Sequence, residues 1–319
     1  MNASISVALA SYNGEKYIRE QLDSILSQTY QDFELIVCDD CSTDSTVRIL
    51  REYEKKDDRI KVFVNEQNLG FKKNFEKAIG LCSGDYIALS DQDDIWLPEH
   101  LSVLLSNIHD RSLCCGDAEL VDENNVLQNK LLSVADGVFD FPPANKILYR
   151  IIFNQNPFQG ASQLIRKDFL KKVLPIPSKI RFHDAWFAAC ACLDNGINYV
   201  RIPITRYRRH SDSITIDSHA QDIRTSINKK HLLLFVLGKY TIQTDRFAYC
   251  NHLEKIFGSD DSDFSDILKI MNEMKRKKLS IPSILKLYKN YEYIITKKTR
   301  SGFLRFLGRI MSWEDMPDD

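Results

Sequence analysis

The sequence predicts an α/β protein built on a doubly wound, mostly parallel mixed sheet, followed by a helical C-terminal region. Three observations support this prediction. Short apolar runs alternate with segments of helical periodicity over the first 110 residues, each run ends in a polar cluster, and only helical patterns follow residue 217. Because such sheets bind ligands at the carboxyl ends of their strands, the polar clusters also predict where a site lies.

The first apolar run covers residues 5–10 and has the composition of a strand buried on both faces. The second, third and fourth strands are expected at 33–38, 60–64 and 86–90. Between and after them, apolar side chains recur three and four residues apart, which predicts helices near 17–26, 46–50, 71–81 and 98–108. Pro98 suits the first turn of the last of these helices.

Beyond residue 115 the pattern is more mixed. We expect strands at 118–121, 162–165 and 199–202 and a helix at 184–193. The later helices are expected to be interrupted near Gly238, Gly258, Pro282 and Gly302. We therefore divide the chain into a domain at 1–215, with halves at about 1–110 and 111–215, and a helical region at 216–319.

The composition excludes several classes of protein. Of the 319 residues, 44% are hydrophobic and 27% are charged, with 12 Gly and 9 Pro, so the chain is neither disordered nor low-complexity nor collagen-like. The net charge of -1 argues against a nucleic-acid-binding protein with an extended basic face. That sum hides an uneven distribution, because residues 265–310 hold 12 Lys and Arg against three acids. A segment of charge +9 is thus attached to a body of charge -10.

Three features predict a cytoplasmic protein. The longest aliphatic and aromatic run near the middle of the chain is the six residues 232–237, whereas a membrane span needs about 20. The N-terminus has no basic region followed by a long apolar stretch, so no secretory signal is expected. Eight cysteines without such a signal indicate a reducing compartment, and Cys38 and Cys41 lack the second pair that a zinc site requires.

Three carboxylates occupy four positions in the segment 91–94, directly after the fourth predicted strand. In an extended chain, Asp91 and Asp93 point to the same side, roughly 6 to 7 Å apart at ~3.3 Å per residue. Carboxylates held this close repel each other and need a cation or water nearby, and oxygen ligands favour Mg²⁺ or Mn²⁺. The alternative is a solvated acidic loop that caps the next helix. The position at the end of a buried strand favours the metal.

An ordered series of motifs in the first 105 residues resembles the family 2 glycosyltransferases of the GT-A fold. The matching segments are VALASYNG at 7–14, LDSILSQTY at 22–30, FELIVCDD at 33–40, STDST at 42–46, NLGF at 68–71 and GDYIALSDQDDIW at 84–96. The DQDDIW form is similar to the bacterial branch that builds rhamnose-containing and other surface polysaccharides. The resemblance continues more thinly through FQGA at 158–161, HD at 183–184 and YRRH at 207–210, and covers about two thirds of the chain.

The resemblance implies a nucleotide-sugar donor, a UDP- or dTDP-sugar, and transfer of the sugar with inversion to a hydroxyl of a glycan or lipid-linked glycan. It also makes 1–110 the nucleotide-sugar half and 111–215 the acceptor half. By matching positions, the donor-binding residues are Ser11, Tyr12, Asn13, Glu15, Asp40, Asn68, Gly70, Lys73, Asn74, Asp91 and Gln92. Many relatives have Arg where this chain has Lys73, which substitutes only as a point charge on phosphate.

The same resemblance assigns Asp93 as the principal metal ligand, Asp91 to the ribose and metal, and His210 to the metal or diphosphate, with Mn²⁺ or Mg²⁺ as the cofactor. A departing nucleoside diphosphate is an anion, so it needs charge neutralisation rather than a proton. The alternative for His210 is a surface position in a basic turn. The arginines of that turn are expected to steer an anionic donor towards the site, and they are Arg206, Arg208 and Arg209.

The acceptor hydroxyl loses a proton as it attacks the sugar, and one base on the opposite face suffices. Asp184 is the candidate, because relatives begin a helix with His-Asp or Glu-Asp and use the Asp as the base. The alternative is an ordinary acid favoured by the dipole at a helix N-terminus. The expected acceptor-side residues are Trp96, Gln159, Gly160, His183 and Trp186. Core packing is the competing interpretation of the two tryptophans.

The basic segment 265–310 has two interpretations. Its lysines and arginines are either solvated helix faces or, with the apolar residues among 303–311, a contact with an anionic inner membrane leaflet that would make the protein peripheral. Solvated helix faces are the simpler interpretation, whereas the lipid-linked acceptors of relatives and the apolar residues beside the charge motivate the second.

Other classes of function stay open beside the transferase. A sugar nucleotidyltransferase also uses an α/β sheet and a divalent metal, but SYNG at 11–14 lacks a Gly- and Lys/Arg-rich phosphate loop. A dehydrogenase would need GxGxxG after the first strand. A non-catalytic scaffold of a polysaccharide assembly complex is the alternative outside catalysis, and intact Asp91, Asp93 and Asp184 argue against it. The sugar, the linkage and the oligomeric state are not predicted.

Overall fold

The fold is taken from a computed structural model that describes residues 4–135, 144–153, 156–210, 240–242, 244–276, 279–294 and 311–313. The strands are β1 (Ile5–Ser11), β2 (Phe33–Asp39), β3 (Ile60–Val64), β4 (Tyr86–Ser90), β5 (Ile95–Trp96), β6 (Leu113–Val121), β7 (Leu127–Leu131), β8 (Gln163–Arg166), β9 (Ile197–Arg208), β10 (Tyr240–Ile242) and β11 (Met311–Trp313). The helices are α1 (Ile18–Leu26), α2 (Thr46–Glu54), α3 (Phe71–Leu81), α4 (His100–Ile108), α5 (Leu132–Ala135), α6 (Ala144–Phe153), α7 (Lys167–Val173), α8 (His183–Leu193), α9 (Thr244–Phe257), α10 (Ser262–Lys275) and α11 (Ile281–Ile294). A 3₁₀ turn covers Gly160–Ser162.

The first four strands form the parallel half of a nine-stranded sheet. β2 and β4 flank β1, and β3 pairs with β2, so the carboxyl ends of all four strands emerge at the same edge. In the second half, β8 lies antiparallel between β4 and β6, β9 runs parallel to β6, and β5 and β7 pair antiparallel with β9 and β6. The predicted fold class, a mixed α/β sheet with helices, is confirmed.

The core of this sheet follows from the apolar runs of the sequence. Val7 and Leu9 of β1 are 0% exposed, because helices or strands cover both faces of the strand. On α1, Ile18, Leu22 and Ile25 recur at helical spacing and are also fully buried against the sheet. Burial of each such side chain contributes about 1.5–3 kcal/mol, so the strand ends that carry the polar clusters stand on a well-anchored base.

The chain divides into two compact units. The first comprises Met1–Asp136, Phe158–Ile176 and Phe182–Ser213, and the second comprises Gly137–Pro157, Pro177–Arg181 and Ile214–Asp319. The sequence-based division kept all of 1–215 together, whereas the structure groups α6 with the C-terminal helices. The side chains of α6 explain the difference, since Ile147, Leu148, Tyr149, Ile151, Ile152 and Phe153 are all buried. A helix that is apolar on most sides needs cover from other helices, which α10 and α11 provide.

The sequence predicted only helices in the C-terminal unit. The structure adds a pair of antiparallel strands there, β10 and β11. Gly258 follows α9 with a φ of +73°, and Pro282 lies in the first turn of α11, so both expected interruptions fall at helix ends. Gly238 and Gly302 lie outside the described residues. Among the helices that the structure describes, none combines the length and the apolar character needed to cross a bilayer.

Candidate active site

The loop after β1 is held to the loop after β4 by a side-chain amide. Gln92 accepts a hydrogen bond from Tyr12 N at 2.8 Å through Oε1 and donates to Tyr12 O at 2.9 Å through Nε2. A Cβ on Gly14 would lie 2.2 Å from Gln92 Oε1, so a larger residue there would displace the Gln92 amide from Tyr12. The amide of Gln92 therefore holds the Tyr12 backbone, and the expected contact of Gln92 with the donor stays a prediction. The Tyr12 ring itself is 46% exposed and free to stack on a ligand.

The loops after β1 and β2 are also tied to each other. Asn13 N donates to Ser42 Oγ at 2.8 Å, and Asn13 Oδ1 accepts from Thr43 N at 2.8 Å. Glu15 accepts from Ser45 N at 2.9 Å through Oε2. Asn13 and Glu15, which were expected to contact the nucleotide, therefore also fix the shape of the neighbouring loop.

The two acids at the carboxyl end of β2 are buried, and both accept hydrogen bonds from other segments. Asp39 is 0% exposed and accepts from the hydroxyl of Ser11 at 2.8 Å, so the predicted donor contact Ser11 faces inwards. Asp40 is 2% exposed and accepts from Leu69 N and Gly70 N, each at 2.8 Å. In this structure Asp40 fixes the loop after β3, where we had expected a contact with the base.

Further side-chain hydrogen bonds hold the loop between β3 and α3. Asn65 Nδ2 donates to both Asp40, at 2.7 Å, and Asn74 Oδ1, at 2.9 Å, while Asn74 Nδ2 donates to Cys38 O at 2.7 Å. Gly70 has a φ of +81°, which only glycine adopts readily. The remaining predicted contacts of this loop point outwards: Asn68 is exposed, and Lys73, with a side chain 53% exposed, pairs with Glu76.

The acidic turn after β4 concentrates negative charge. Asp94 is 1% exposed and accepts from Gln159 Nε2 at 2.9 Å and from Arg208 N at 3.0 Å. Burial, followed by repulsion from Asp93 and Asp91, raises the pKa of Asp94 well above its usual range. Sequence reasoning had left Asp94 out of the site because nothing in the motif separates a buried acid from an exposed one.

Asp184, the predicted base, lies close enough to the turn after β4 for its charge to affect the pKa of Asp91. Burial, then Asp93 and then Asp184, raise the pKa of Asp91 to about 8. Asp184 stands in the first turn of α8 and accepts from Ala185 N at 2.7 Å. The structure therefore brings Asp91, Asp93 and Asp184 together across more than 90 residues of sequence, at the carboxyl edge of the sheet.

His210 meets the acidic turn directly. Its Nε2 lies 2.8 Å from Asp93 Oδ2, and the two side chains are 9% and 24% exposed. The alternative of a surface histidine is therefore wrong. The His210 ring also packs 4.9 Å from the ring of Tyr17, which precedes α1.

We tested whether these residues suit a divalent cation. Within the described ranges, no three His, Cys, Asp or Glu side chains are grouped as a complete ligand set. Mg²⁺ is commonly held by only one or two protein carboxylates together with substrate phosphates. Asp93 and His210 supply two donors on one side, and burial with the charges of Asp93 and Asp184 raises the pKa of Asp91 to about 8, which favours a proton or a cation at this carboxylate. The donor set therefore fits a cation that is shared with a phosphate ligand.

The expected acceptor side divides into two groups. Gln159 and His183 lie at the site: Gln159 donates to Asp94, and His183 is 7% exposed and stacks on Phe75 with 4.1 Å between ring centres. Burial lowers the pKa of His183 to about 3, so the ring is neutral. A Cβ on Gly160 would lie 3.2 Å from His183 Nε2, so glycine permits this close approach.

The two tryptophans belong to the second group, and their burial supports the competing interpretation of core packing over an acceptor-side role. Trp96 is 2% exposed, stacks on His100 at 3.8 Å and donates to Ala161 O at 3.1 Å. Trp186 is 0% exposed and donates to Val173 O at 2.9 Å. Both rings are core residues whose polar N–H is satisfied internally, which is how buried tryptophans are usually accommodated.

One of the three arginines of the basic turn also differs from expectation. The Arg208 side chain is 1% exposed, so it is not placed to steer a ligand from solution. Arg206 Nε lies 3.6 Å from Glu119 and its side chain is 33% exposed. No feature of the sequence distinguishes these two residues, which occupy alternate positions of the same strand.

The mixed sheet with its acidic carboxyl edge has the GT-A fold of the solved structures that resemble it. The sequence model of glycosyl transferase family 2 matches residues 6–174. The chain belongs to this family, and the resemblance seen in the sequence motifs is confirmed.

Relatives of known name support this assignment. A glycosyltransferase of Haemophilus influenzae is 28% identical over 322 residues, which cover 96% of this chain and 97% of the relative. The UDP-Glc:alpha-D-GlcNAc-diphosphoundecaprenol beta-1,3-glucosyltransferase WfgD of Escherichia coli is 35% identical over 125 residues, 39% of this chain and 49% of that protein. The mannosyltransferase PcManGT from Pyrobaculum calidifontis, solved with GDP-Man and Mn²⁺, shares the fold with a TM-score of 0.51 and 15% identity, over 97% of this chain and 87% of that one.

Proposed function

We propose that this protein is a metal-dependent, inverting glycosyltransferase that moves a sugar from a UDP- or dTDP-sugar to a hydroxyl of a glycan or lipid-linked glycan in bacterial surface polysaccharide synthesis. The observation that carries the proposal is the pair of Asp93 and His210, 2.8 Å apart, beside Asp91 and Asp184 at the carboxyl edge of the sheet. Nucleotide-sugar donors and a lipid-linked acceptor in the names of relatives support it.

The donor would lie across the loops after β1, β2 and β3. Tyr12 offers an exposed ring for the base, and Lys73, with its side chain 53% exposed, offers a positive charge for a phosphate. Because hydrogen bonds join the loops after β1, β2 and β4, the cradle is formed before a nucleotide enters. A preformed cradle lowers the entropy lost on binding.

Asp93 and His210 would hold Mn²⁺ or Mg²⁺ together with the diphosphate. When bound, the cation neutralises charge that develops on the departing nucleoside diphosphate. Asp91 and Asp93 orient towards the same edge, and the ordinary preference of hard cations for oxygen donors suits them. The remaining residues of the site act on the other reactant.

Asp184 would accept the proton of the acceptor hydroxyl as that oxygen attacks the anomeric carbon. The new bond forms on the face opposite to the departing diphosphate, so the configuration at that carbon inverts. One base is enough, because the diphosphate leaves without a proton. The position of Asp184 beside Asp91, with neutral His183 next to it, supports this role.

The decisive experiment compares Asp184→Asn with Asp168→Asn. Both aspartates stand in the first turn of a helix and accept a hydrogen bond from the next backbone N–H, at 2.7 Å and 2.9 Å, but Asp168 has a side chain 69% exposed on α7. A panel of UDP-, dTDP- and GDP-sugars with Mn²⁺ first identifies the donor. Asp184→Asn is expected to bind that donor normally and lose transfer, with Asp168→Asn unchanged. Normal transfer by Asp184→Asn would refute the assignment of the base.

The same panel separates the alternative functions. A transferase releases a nucleoside diphosphate, whereas a sugar nucleotidyltransferase consumes or releases pyrophosphate. A scaffold binds no nucleotide sugar at all. Asp93→Asn is expected to abolish the dependence of donor binding on Mn²⁺, and unchanged dependence would refute the metal site.

We also propose that the basic segment contacts an anionic membrane surface. Lys275 and Arg276 at the end of α10 are exposed, as the proposal requires, while 277–278 and 295–310 lie outside the described residues. Lys275→Glu/Arg276→Glu is expected to reduce flotation of the full chain with phosphatidylserine vesicles. Equal flotation of the variant and the parent would refute the contact.

A further inference from the structure

Arg208 joins three segments of the first unit beneath the acidic turn. Its Nε donates to the main-chain O of Asp93 at 2.8 Å, and its Nη1 donates to the main-chain O of Glu123 at 2.9 Å. Its Nη2 pairs with the carboxylate of Glu20 on α1. One planar guanidinium thus fixes the turn after β4, the loop after β6 and the first turn of α1.

The same arginine is connected to His210 through an aromatic ring. The Arg208 guanidinium carbon lies 4.6 Å from the centre of the Tyr17 ring, and the ring of His210 lies 4.9 Å from that same ring. Tyr17 is only 8% exposed, so its ring has little room to move. Arg208 therefore contacts Asp93 directly and contacts the packing partner of His210.

Burial of this guanidinium needs a reason, because a charged group loses its hydration when it leaves water. Its carboxylate partner Glu20 has a side chain 54% exposed, so the pair is only half desolvated and is a weak source of stability. Its Nε and Nη1 donate to main-chain carbonyl oxygens of Asp93 and Glu123, and Asp93 is the residue that contacts His210. The arrangement serves the geometry of the turn better than it serves the stability of the fold.

We propose that Arg208 is a positioning residue that holds Asp93 and His210 in register before a cation arrives. The inference rests on the proposed function and deepens it by naming the residue that holds Asp93 and His210, the two groups that would bind the cation, in position. An arginine suits the task because its planar fork directs several donors at fixed angles, whereas a lysine offers a single point charge. Arg208→Lys keeps the charge and removes the fork.

The test measures how much Mn²⁺ strengthens binding of UDP, GDP or dTDP, whichever the protein binds best, by calorimetry with and without the metal. In the parent protein Mn²⁺ is expected to tighten binding. In Arg208→Lys that enhancement is expected to fall about 10- to 100-fold, the usual effect of removing a partner that orients a metal ligand. Binding without Mn²⁺ is expected to stay the same, because the hydrogen bonds that shape the loops after β1, β2 and β3 are formed by Gln92, Asn13 and Asp40 and not by Arg208.

Two further variants keep the proposal open to refutation if Arg208→Lys folds poorly. Glu20→Gln leaves Arg208 in place and removes only the charge that fixes its outer end, so a smaller loss in the same direction is expected. Arg19→Lys is the matched control, since Arg19 lies on the same helix and forms an exposed pair with Glu52 at 2.8 Å. It is expected to leave the enhancement unchanged.

The outcomes separate this proposal from the function on which it rests. If the parent protein shows no enhancement by Mn²⁺ or Mg²⁺, the metal-dependent function fails, and the role of Arg208 fails with it. If the parent shows the enhancement and both Arg208→Lys and Glu20→Gln retain it in full, the function stands and the positioning role is refuted. A lower unfolding temperature with full enhancement has the same meaning, because it indicates a purely structural role.

Discussion

Replacing Gly160 with alanine is expected to slow sugar transfer more than it weakens donor binding. The added Cβ would lie 3.2 Å from His183 Nε2 and 3.5 Å from Asp184 Cβ. The first distance is too short, so one of the two groups has to move by a few tenths of an ångström. His183 cannot retreat easily, because its ring already stacks on Phe75 with centres 4.1 Å apart.

The displacement therefore passes to the first turn of α8, which carries Asp184. A misplacement of about 1 Å can cost on the order of 100-fold in rate, so a shift of a few tenths is expected to cost roughly 3- to 10-fold. The donor loops at β1 and β2 do not contact Gly160, and donor affinity is expected to stay within about twofold, or roughly 0.4 kcal/mol. Overpacking of the buried turn adds a loss of about 1–3 kcal/mol in stability.

The assay measures release of nucleoside diphosphate from the donor that the panel identifies, in parallel with calorimetric donor binding, at a temperature where the variant is fully folded. Gly80→Ala is the matched control, because Gly80 is exposed on α3 and its added Cβ meets nothing within 4 Å. That control is expected to raise stability by about 0.5–1 kcal/mol and to leave the rate unchanged. A rate for Gly160→Ala equal to that of the control, or equal losses of binding and rate, would refute the reasoning.

Two further predictions concern the scaffold of the site. Burial alone would raise the pKa of Glu34, but hydrogen bonds from Ser83 and Ser6 outweigh it and lower the pKa to about 2. This carboxylate therefore stabilises the fold at pH values above the unfolded pKa of Glu, and this stabilisation is lost as the pH falls through about 2. Glu34→Gln is expected to lower the unfolding free energy by up to about 3 kcal/mol at pH 7 and by less at pH 3. Urea denaturation at the two pH values measures the difference. Gly14→Ala places a Cβ 2.2 Å from Gln92 Oε1 and displaces the two hydrogen bonds of that amide, so a loss of about 1–2 kcal/mol and weaker nucleotide binding are expected; unchanged calorimetric binding would contradict it.

The first half of the fold is predictable from the sequence because three of its four strands, β1, β2 and β4, are buried along almost their whole length. Such strands appear as continuous apolar runs, and the predicted bounds of β3, α3 and β4 agree with the structure. The second half is less regular. β9 continues to Arg208, well beyond the predicted 199–202, because its polar residues and Pro203 hide the strand, and its register with β6 shifts twice.

The residue types of the site are predictable from the sequence, but the hydrogen bonds that each residue forms are not. The motifs identified Asp40 and Gln92 correctly as part of the strand-end cluster, but not that both hold loops in place. Their partners, Leu69 and Tyr12, lie 29 and 80 residues away in the chain. Local patterns report burial and turn chemistry, whereas hydrogen bonds between distant loops depend on which strand ends become neighbours.

These hydrogen bonds bear on how the site tolerates its own charge. Asp94 accepts two hydrogen bonds and Asp93 contacts His210, yet burial and the neighbouring carboxylates still raise the pKa of Asp94 well above its usual range and that of Asp91 to about 8. The unfolded chain would carry Asp91 ionised at neutral pH, so folding takes up a proton there, and the fold is less stable than it would be with a neutral residue at that position. The buried carboxylates therefore lower the stability of the fold while no cation is bound. A bound cation offsets this loss, and the largest effect is expected from a cation that contacts several carboxylates together.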